Sequence, residues 1–154
     1  MDNSNIFLAV KAAIVGIFGA FGAAFGWLGW LVLAWIGCMV VDYISGSSAA
    51  MKAGQWSSAK ARGGIWHKAG MIVVVIVAAV ADNVLSLVVA SIPVISIEYT
   101  VLLLPMVLVW YILTELGSIL ENAAAMGAPV PEFLIRILAS AKEKVEVATG
   151  EDTE

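Results

Sequence analysis

Apolar residues dominate Ala12 to Val41, which carries no charge, and Gly70 to Ala90, where Asp82 is the one charged position. A third apolar run covers about Tyr99 to Thr114. Roughly twenty apolar residues are what an α-helix needs to cross about 30 Å of hydrocarbon. The β-branched stretch Ile72 to Val77 would read as a strand in an aqueous protein, but the length of the run around it decides for a helix. The pattern therefore predicts an all-α, small multi-pass transmembrane helical protein.

The first run is too long for one crossing. Ala12 to Val41 as one straight helix would measure about 45 Å at 1.5 Å per residue. Two helices fit if the first begins near Ile6, the chain turns at Gly26-Trp27-Leu28-Gly29, and the second ends near Ile44. Trp27 and Trp30 suit a turn at the membrane interface. The alternative is one tilted span preceded by a surface helix. Four spans are thus expected, at about 6–25, 28–44, 70–90 and 99–116, or three in the alternative.

Ser45 to Ala69 reads as a polar, Gly/Ser-rich connection carrying Lys52, Lys60, Arg62 and Lys68 and no acid. Basic loops stay in the cytoplasm. Trp56 and Trp66 can rest at headgroup level on anionic lipid. Ser91 to Glu98, with Pro93, reads as a short outside turn, and Pro105 as a kink in the last span. That span continues as a helix past Glu115 and Glu121 until Gly127-Ala128-Pro129-Val130-Pro131 ends it. Pro131 suits the first turn of a further amphipathic helix, with Leu134, Leu138, Ala141 and Val145 on one face. Residues 1–128 are accordingly read as the membrane domain. Residues 129–154, with Arg136, Lys142, Lys144 and an acidic end, are read as a cytoplasmic tail.

Composition strengthens this picture. Hydrophobic residues make up 62% of the 154 residues and charged residues 13%. A soluble domain carries about 25% charge, so the surplus apolar surface must face lipid. The net charge of −4 comes without any basic run interleaved with aromatics, which argues against a nucleic-acid partner. Cys38 stands alone inside an apolar run, and no Cys/His spacing fits zinc; no cofactor is expected. The amino end Met1-Asp2-Asn3-Ser4-Asn5 lacks the positive region of a signal peptide. The chain is read as entering the membrane through its own helices.

Three groups of residues carry candidate chemistry. Gly16, Gly19, Ala23 and Gly26 form a small-residue stripe on the first helix, beside a bulky stripe of Ile14, Phe18, Phe21 and Phe25. Small residues let helix backbones approach closely in lipid, either within one protomer or between protomers. Asp82 and Asn83 are polar groups at membrane depth. An aspartate there costs about 2.5–3.5 kcal/mol, while the twelve Leu, Ile and Val residues of its segment return about 4–7 kcal/mol together. The segment inserts and keeps its acid, which is a functional-site candidate or a hydrogen-bonding group. Asp42, Glu115 and Glu121 lie near the inner boundary, where solvation of helix ends is the plain reading. No nucleophile–base set, phosphate loop or metal motif accompanies these acids, so an enzyme is not expected.

Three blocks of sequence carry a resemblance. The first is Val41-Asp42-Tyr43-Ile44-Ser45-Gly46. The second is Ser57-Ser58, then Gly64 and Lys68, with Asp82 in the following span. The third is Thr114-Glu115-Leu116-Gly117-Ser118-Ile119-Leu120-Glu121-Asn122, followed by Gly127, Pro129 and Pro131. In this order they resemble the toxin-secretion/phage-lysis holin family over roughly Val40 to Leu138. Two positions depart from the family pattern: His67-Lys68 stands where two basic residues are frequent, and Thr114 where an Asn commonly precedes the glutamate. The resemblance implies a protein that accumulates in the cytoplasmic membrane of a bacterium and homo-oligomerises. It would open holes at a programmed time and let an endolysin or a large toxin cross. A small gated channel or transporter subunit using Asp82 is the alternative from the residues, and an antiholin-like regulator is a third.

Overall fold

The computed structural model describes residues 3–92 and 101–149. Most of the turn expected at Ser91–Glu98, the expected start of the last span at Tyr99, and the acidic end of the tail lie outside them. Among the described residues the elements are helices: α1 (Asn3–Lys52), α2 (Ser58–Ser91), α3 (Leu103–Ala125) and α4 (Glu132–Thr149). Helices are what lipid permits, because a helix satisfies its backbone polar groups internally.

The long α1 is broken where the sequence places a turn. Gly26 has φ 59 and ψ −143, which interrupts the helical path. Only glycine adopts this conformation cheaply. The Trp30 indole then lies against Gly22, so closely that a Cβ there would come within 2.8 Å of it. The break divides α1 into two arms, and four segments are long and apolar enough to cross a membrane: Ser4–Ala23, Gly26–Lys52, Ser58–Ser91 and Leu103–Ala125. The four-span reading therefore stands over the three-span one by length and composition.

Two expectations are corrected. Ser45 to Ala69 is not an open loop: α1 runs to Lys52 and α2 begins at Ser58. The connection is short because each end is well capped. Gly54 (φ +67) follows α1, with Gln55 N–H donating to the Ala50 carbonyl and Gly54 N–H to that of Met51, a Schellman closure. Ser57 caps α2 by accepting from the Lys60 amide. Pro105, expected as a mid-span kink, instead lies in the first turn of α3, where a missing N–H breaks no helical hydrogen bond.

The helices pack through seams spaced three and four residues apart. On α2 the buried positions are Met71, Val75, Ala78 and Asp82. Trp35 and Met39 of α1, Met71 and Val75 of α2, and Leu108 of α3 form the core. Leu108 is fully buried, and Trp35 stacks on Tyr111 with centroids 6.1 Å apart. The central helix is α3, which contacts the second arm of α1, α2 and α4, whereas α1 and α2 touch only sparsely. The second arm of α1 runs parallel to α3, and α2 runs antiparallel to both. Outside these seams the surface is apolar: Val73, Ile76, Val77, Val80 and Val84 of α2 are exposed. That is the pattern of a protein whose solvent is acyl chains.

Candidate functional site

Polar groups held between the helices define two sites about 20 Å apart along α2, taking 1.5 Å per residue between Lys68 and Asp82. The first lies where the second arm of α1, the start of α2 and the later half of α3 converge. Lys68 Nζ of α2 donates to Asp42 Oδ2 of α1 at 2.9 Å and to Glu115 Oε2 of α3 at 2.6 Å. Asn122 Nδ2, two turns further along α3, donates to Asp42 Oδ1 at 3.0 Å and to Ser45 Oγ at 3.1 Å. The Ser45 hydroxyl donates to the Asp42 carbonyl at 3.1 Å. One ammonium thus holds two carboxylates, and one amide bridges α1 and α3.

The small residues around this cluster are small for a reason. A Cβ at Gly46 would stand 3.3 Å from Asn122 Nδ2, and a Cβ at Gly64 would touch the Tyr43 ring. These glycines let the helices close on the cluster. Below it, Lys52 at the end of α1 donates to the Met126 carbonyl at the end of α3. A cation there meets the negative end of the α3 dipole. Gly127 (φ +93) follows, and the Ala128 and Gly127 amides donate to the Ala123 and Ala124 carbonyls, closing α3 as Gly54 closes α1.

The sequence places Lys68 in a cytoplasmic basic loop with Lys52, Lys60 and Arg62. The structure instead draws Lys68 inward, with 15% of its side chain exposed, and leaves Lys60 and Arg62 exposed. Glu115 was read as a solvated helix end, yet it is 4% exposed. A buried carboxylate needs a partner, and Lys68 supplies it. Glu121 fits the solvated reading: it is exposed, and with Ser118 it lines a groove between α3 and α4. Asp42, Tyr43, Gly46, Glu115 and Asn122 thus come together, Gly127 adjoins them through Lys52, and Pro129 and Pro131 lie in the turn leading to α4. The signal for Lys68 was present in the sequence. It falls three residues before Met71, in phase with the three-and-four spacing of the Met71, Val75, Ala78, Asp82 seam.

The second site is Asp82, 2% exposed. Its Oδ1 accepts from the amides of Leu102 (3.2 Å) and Leu103 (3.0 Å), and its Oδ2 from Leu104 (2.7 Å). A helix start leaves four amides without intrahelical partners. In α3 three of them bond Asp82, and the fourth position is Pro105, which has no N–H. Leu102, at the cap position, has no side-chain cap of its own. Asp82 therefore caps α3 from another helix, with its charge at the positive end of the α3 dipole. Asn83 is exposed, and its amide donates back to Ala79 of its own helix at 2.8 Å.

The small-residue stripe stands apart from both sites. Gly16, Gly19 and Gly26 have nothing within 4 Å of a built Cβ, and positions 4–20 are exposed throughout. Finally, α4 folds back along α3. Trp110 Nε1 donates to Glu146 Oε1 at 3.1 Å, and Lys142 Nζ sits 4.6 Å above the Trp110 ring. Among the described residues no cluster of His, Cys, Asp and Glu has the make-up of a metal site.

Comparison with known proteins follows the same lines. The sequence model of the bacteriophage holin family matches residues 19–143. An uncharacterized protein of Halalkalibacterium halodurans is 34% identical over 115 residues, covering 75% of each chain. No solved structure matches.

Proposed function

The chain belongs to the bacteriophage holin family, and from that membership we propose that it oligomerises in the bacterial cytoplasmic membrane and opens timed holes through which an endolysin reaches the cell wall. The observation that carries the proposal is the exposure of the first arm of α1 over positions 4–20. The arm is a helix of membrane-crossing length, 6% buried, with a glycine stripe facing open space. While protomers are dilute, lipid covers that arm. Above a critical density, close backbone packing between arms outcompetes lipid contact, since helix association in lipid rests on packing of small residues. Gly16, Gly19, Ala23 and Gly26 are the contact residues in this reading.

The channel alternative loses its main support. It needs Asp82 as an ion or proton site, and that carboxylate has three amides of α3 on it. Inducible expression in a bacterium, with and without a cytoplasmic endolysin, tests the proposal through culture turbidity. Abrupt lysis that requires the enzyme supports a hole large enough for a folded protein. Leakage of small solutes alone points to a channel, and full viability to a regulator that makes no hole.

The arm makes its own prediction. Gly19→Leu is expected to delay lysis strongly and to weaken crosslinked ladders without destabilising the protomer, because among the described residues nothing lies within 4 Å of a Cβ there. Comparing lysis time with thermal unfolding of the same variant checks it. A Gly19→Leu chain that lyses on the parental schedule removes the stripe from the contact.

A further inference from the structure

An amphipathic helix packed along a membrane span poses a solvation problem. In this chain α4 runs antiparallel to α3 as far as Trp110, which meets Glu146. Trp110 lies only about 10 Å, seven residues at 1.5 Å each, from the first residue of α3. The final turns of α4 therefore lie beside the apolar part of a span. On the side of α4 away from α3, Glu132, Arg136, Ser140, Glu143 and Lys144 are exposed, with Phe133, Ile137 and Val147 exposed among them. A Lys facing acyl chains at mid-membrane costs about 2.5–3.5 kcal/mol, a cost that falls on Lys144, between the Lys142 and Glu146 that meet Trp110. Lipid can cover the outer faces of α2 and the first arm of α1, but not this one. Docked α4 needs water beside it at membrane depth.

Resting on the hole-forming reading above, we infer that α4 stays docked on α3 in the assembly and that its charged face lines the water-filled interior. The protomer then has two solvent sides. The valine-rich face of α2 meets lipid and α4 meets the lumen, with α3 between them. The α3–α4 contact is suited to holding at that boundary. Lys142 over the Trp110 ring and 3.9 Å from Glu146, together with the Trp110–Glu146 hydrogen bond, places the polar atoms of the contact on each other. Leu138 and Ile135 line an apolar groove with Leu113 and Gly117 of α3.

The test uses the purified full-length chain with Cys38→Ala, in phosphatidylethanolamine–phosphatidylglycerol vesicles that enclose a folded reporter enzyme. Gly117→Cys with Ala139→Cys, which line one groove from α3 and α4, is joined by a bis-maleimide crosslinker with a reducible link, which locks α4 to α3. Release of the reporter by the locked chain at the parental rate is expected. A second chain carries Lys144→Cys and a third Val77→Cys, and both are treated with a water-soluble maleimide once release is complete. Rapid modification at position 144 and none at position 77 is expected. Loss of release on locking, restored by reduction, would show that α4 leaves α3 and would overturn the inference while leaving the hole intact. Release by the locked chain with position 144 unreactive overturns it as well. A parent chain that releases nothing takes down the hole-forming reading, and this inference with it.

Discussion

Asp82→Ala is expected to remove most of the chain's folding stability in a bilayer. The substitution leaves the amides of Leu102, Leu103 and Leu104 without their acceptor. Each buried donor left unmade costs about 1–3 kcal/mol, and lipid offers no replacement partner. Three such losses amount to about 3–9 kcal/mol, against about 5–15 kcal/mol for a typical domain. Asp82→Asn keeps one acceptor oxygen and loses the charge at the α3 dipole, so an intermediate loss is expected. Membrane accumulation and thermal unfolding in micelles read both variants. An Asp82→Ala chain as stable as the parent would mean that α3 is not held by this cap.

Lys68→Met is expected to be the next most damaging change. It strips the only described cation from Asp42 and Glu115 and leaves two carboxylates in one cluster, one of them 4% exposed. Breaking a buried ion pair from one side costs about 3–5 kcal/mol, whereas replacing both partners is often nearly neutral. Lys68→Met with Glu115→Gln should therefore recover much of the loss. Unfolding of the two single variants and the double variant closes a mutant cycle. Additive losses would mean that the two side chains do not act as a pair. Because Asp42 is also held by Asn122, Asp42→Asn is expected to be milder than Lys68→Met.

These two effects fall on residues that the sequence made visible to different degrees. The spans were legible, because apolar runs of membrane length have few other solutions. The break at Gly26 was legible as well, since the run before it overshoots a bilayer and glycine relieves it. The Gly/Ser-rich stretch from Ser45 to Ala69 misled for a physical reason. Small polar residues mark loops in water, but here Ser45, Gly46 and Gly64 mark where helices approach closely. Pro105 misled in the same way: a proline kinks a helix interior yet suits its first turn, and only the start of α3 distinguishes the two. Of the motif residues, Asp42, Lys68, Glu115 and Asn122 are each visible in the sequence, but singly: nothing local shows that Lys68 is the cation that joins the two acids.

From the order of its residues alone, this chain is committed to lipid, to helices and to basic residues gathered at one end of its spans. Those properties are sums over local choices, and each residue contributes whatever its neighbours in space. Which helix caps α3, which lysine is a buried clasp rather than a topology marker, and which side of α4 must meet water were decided by tertiary packing. Each depends on a partner 20 to 80 positions away, and no local propensity encodes a distance that only packed helices create.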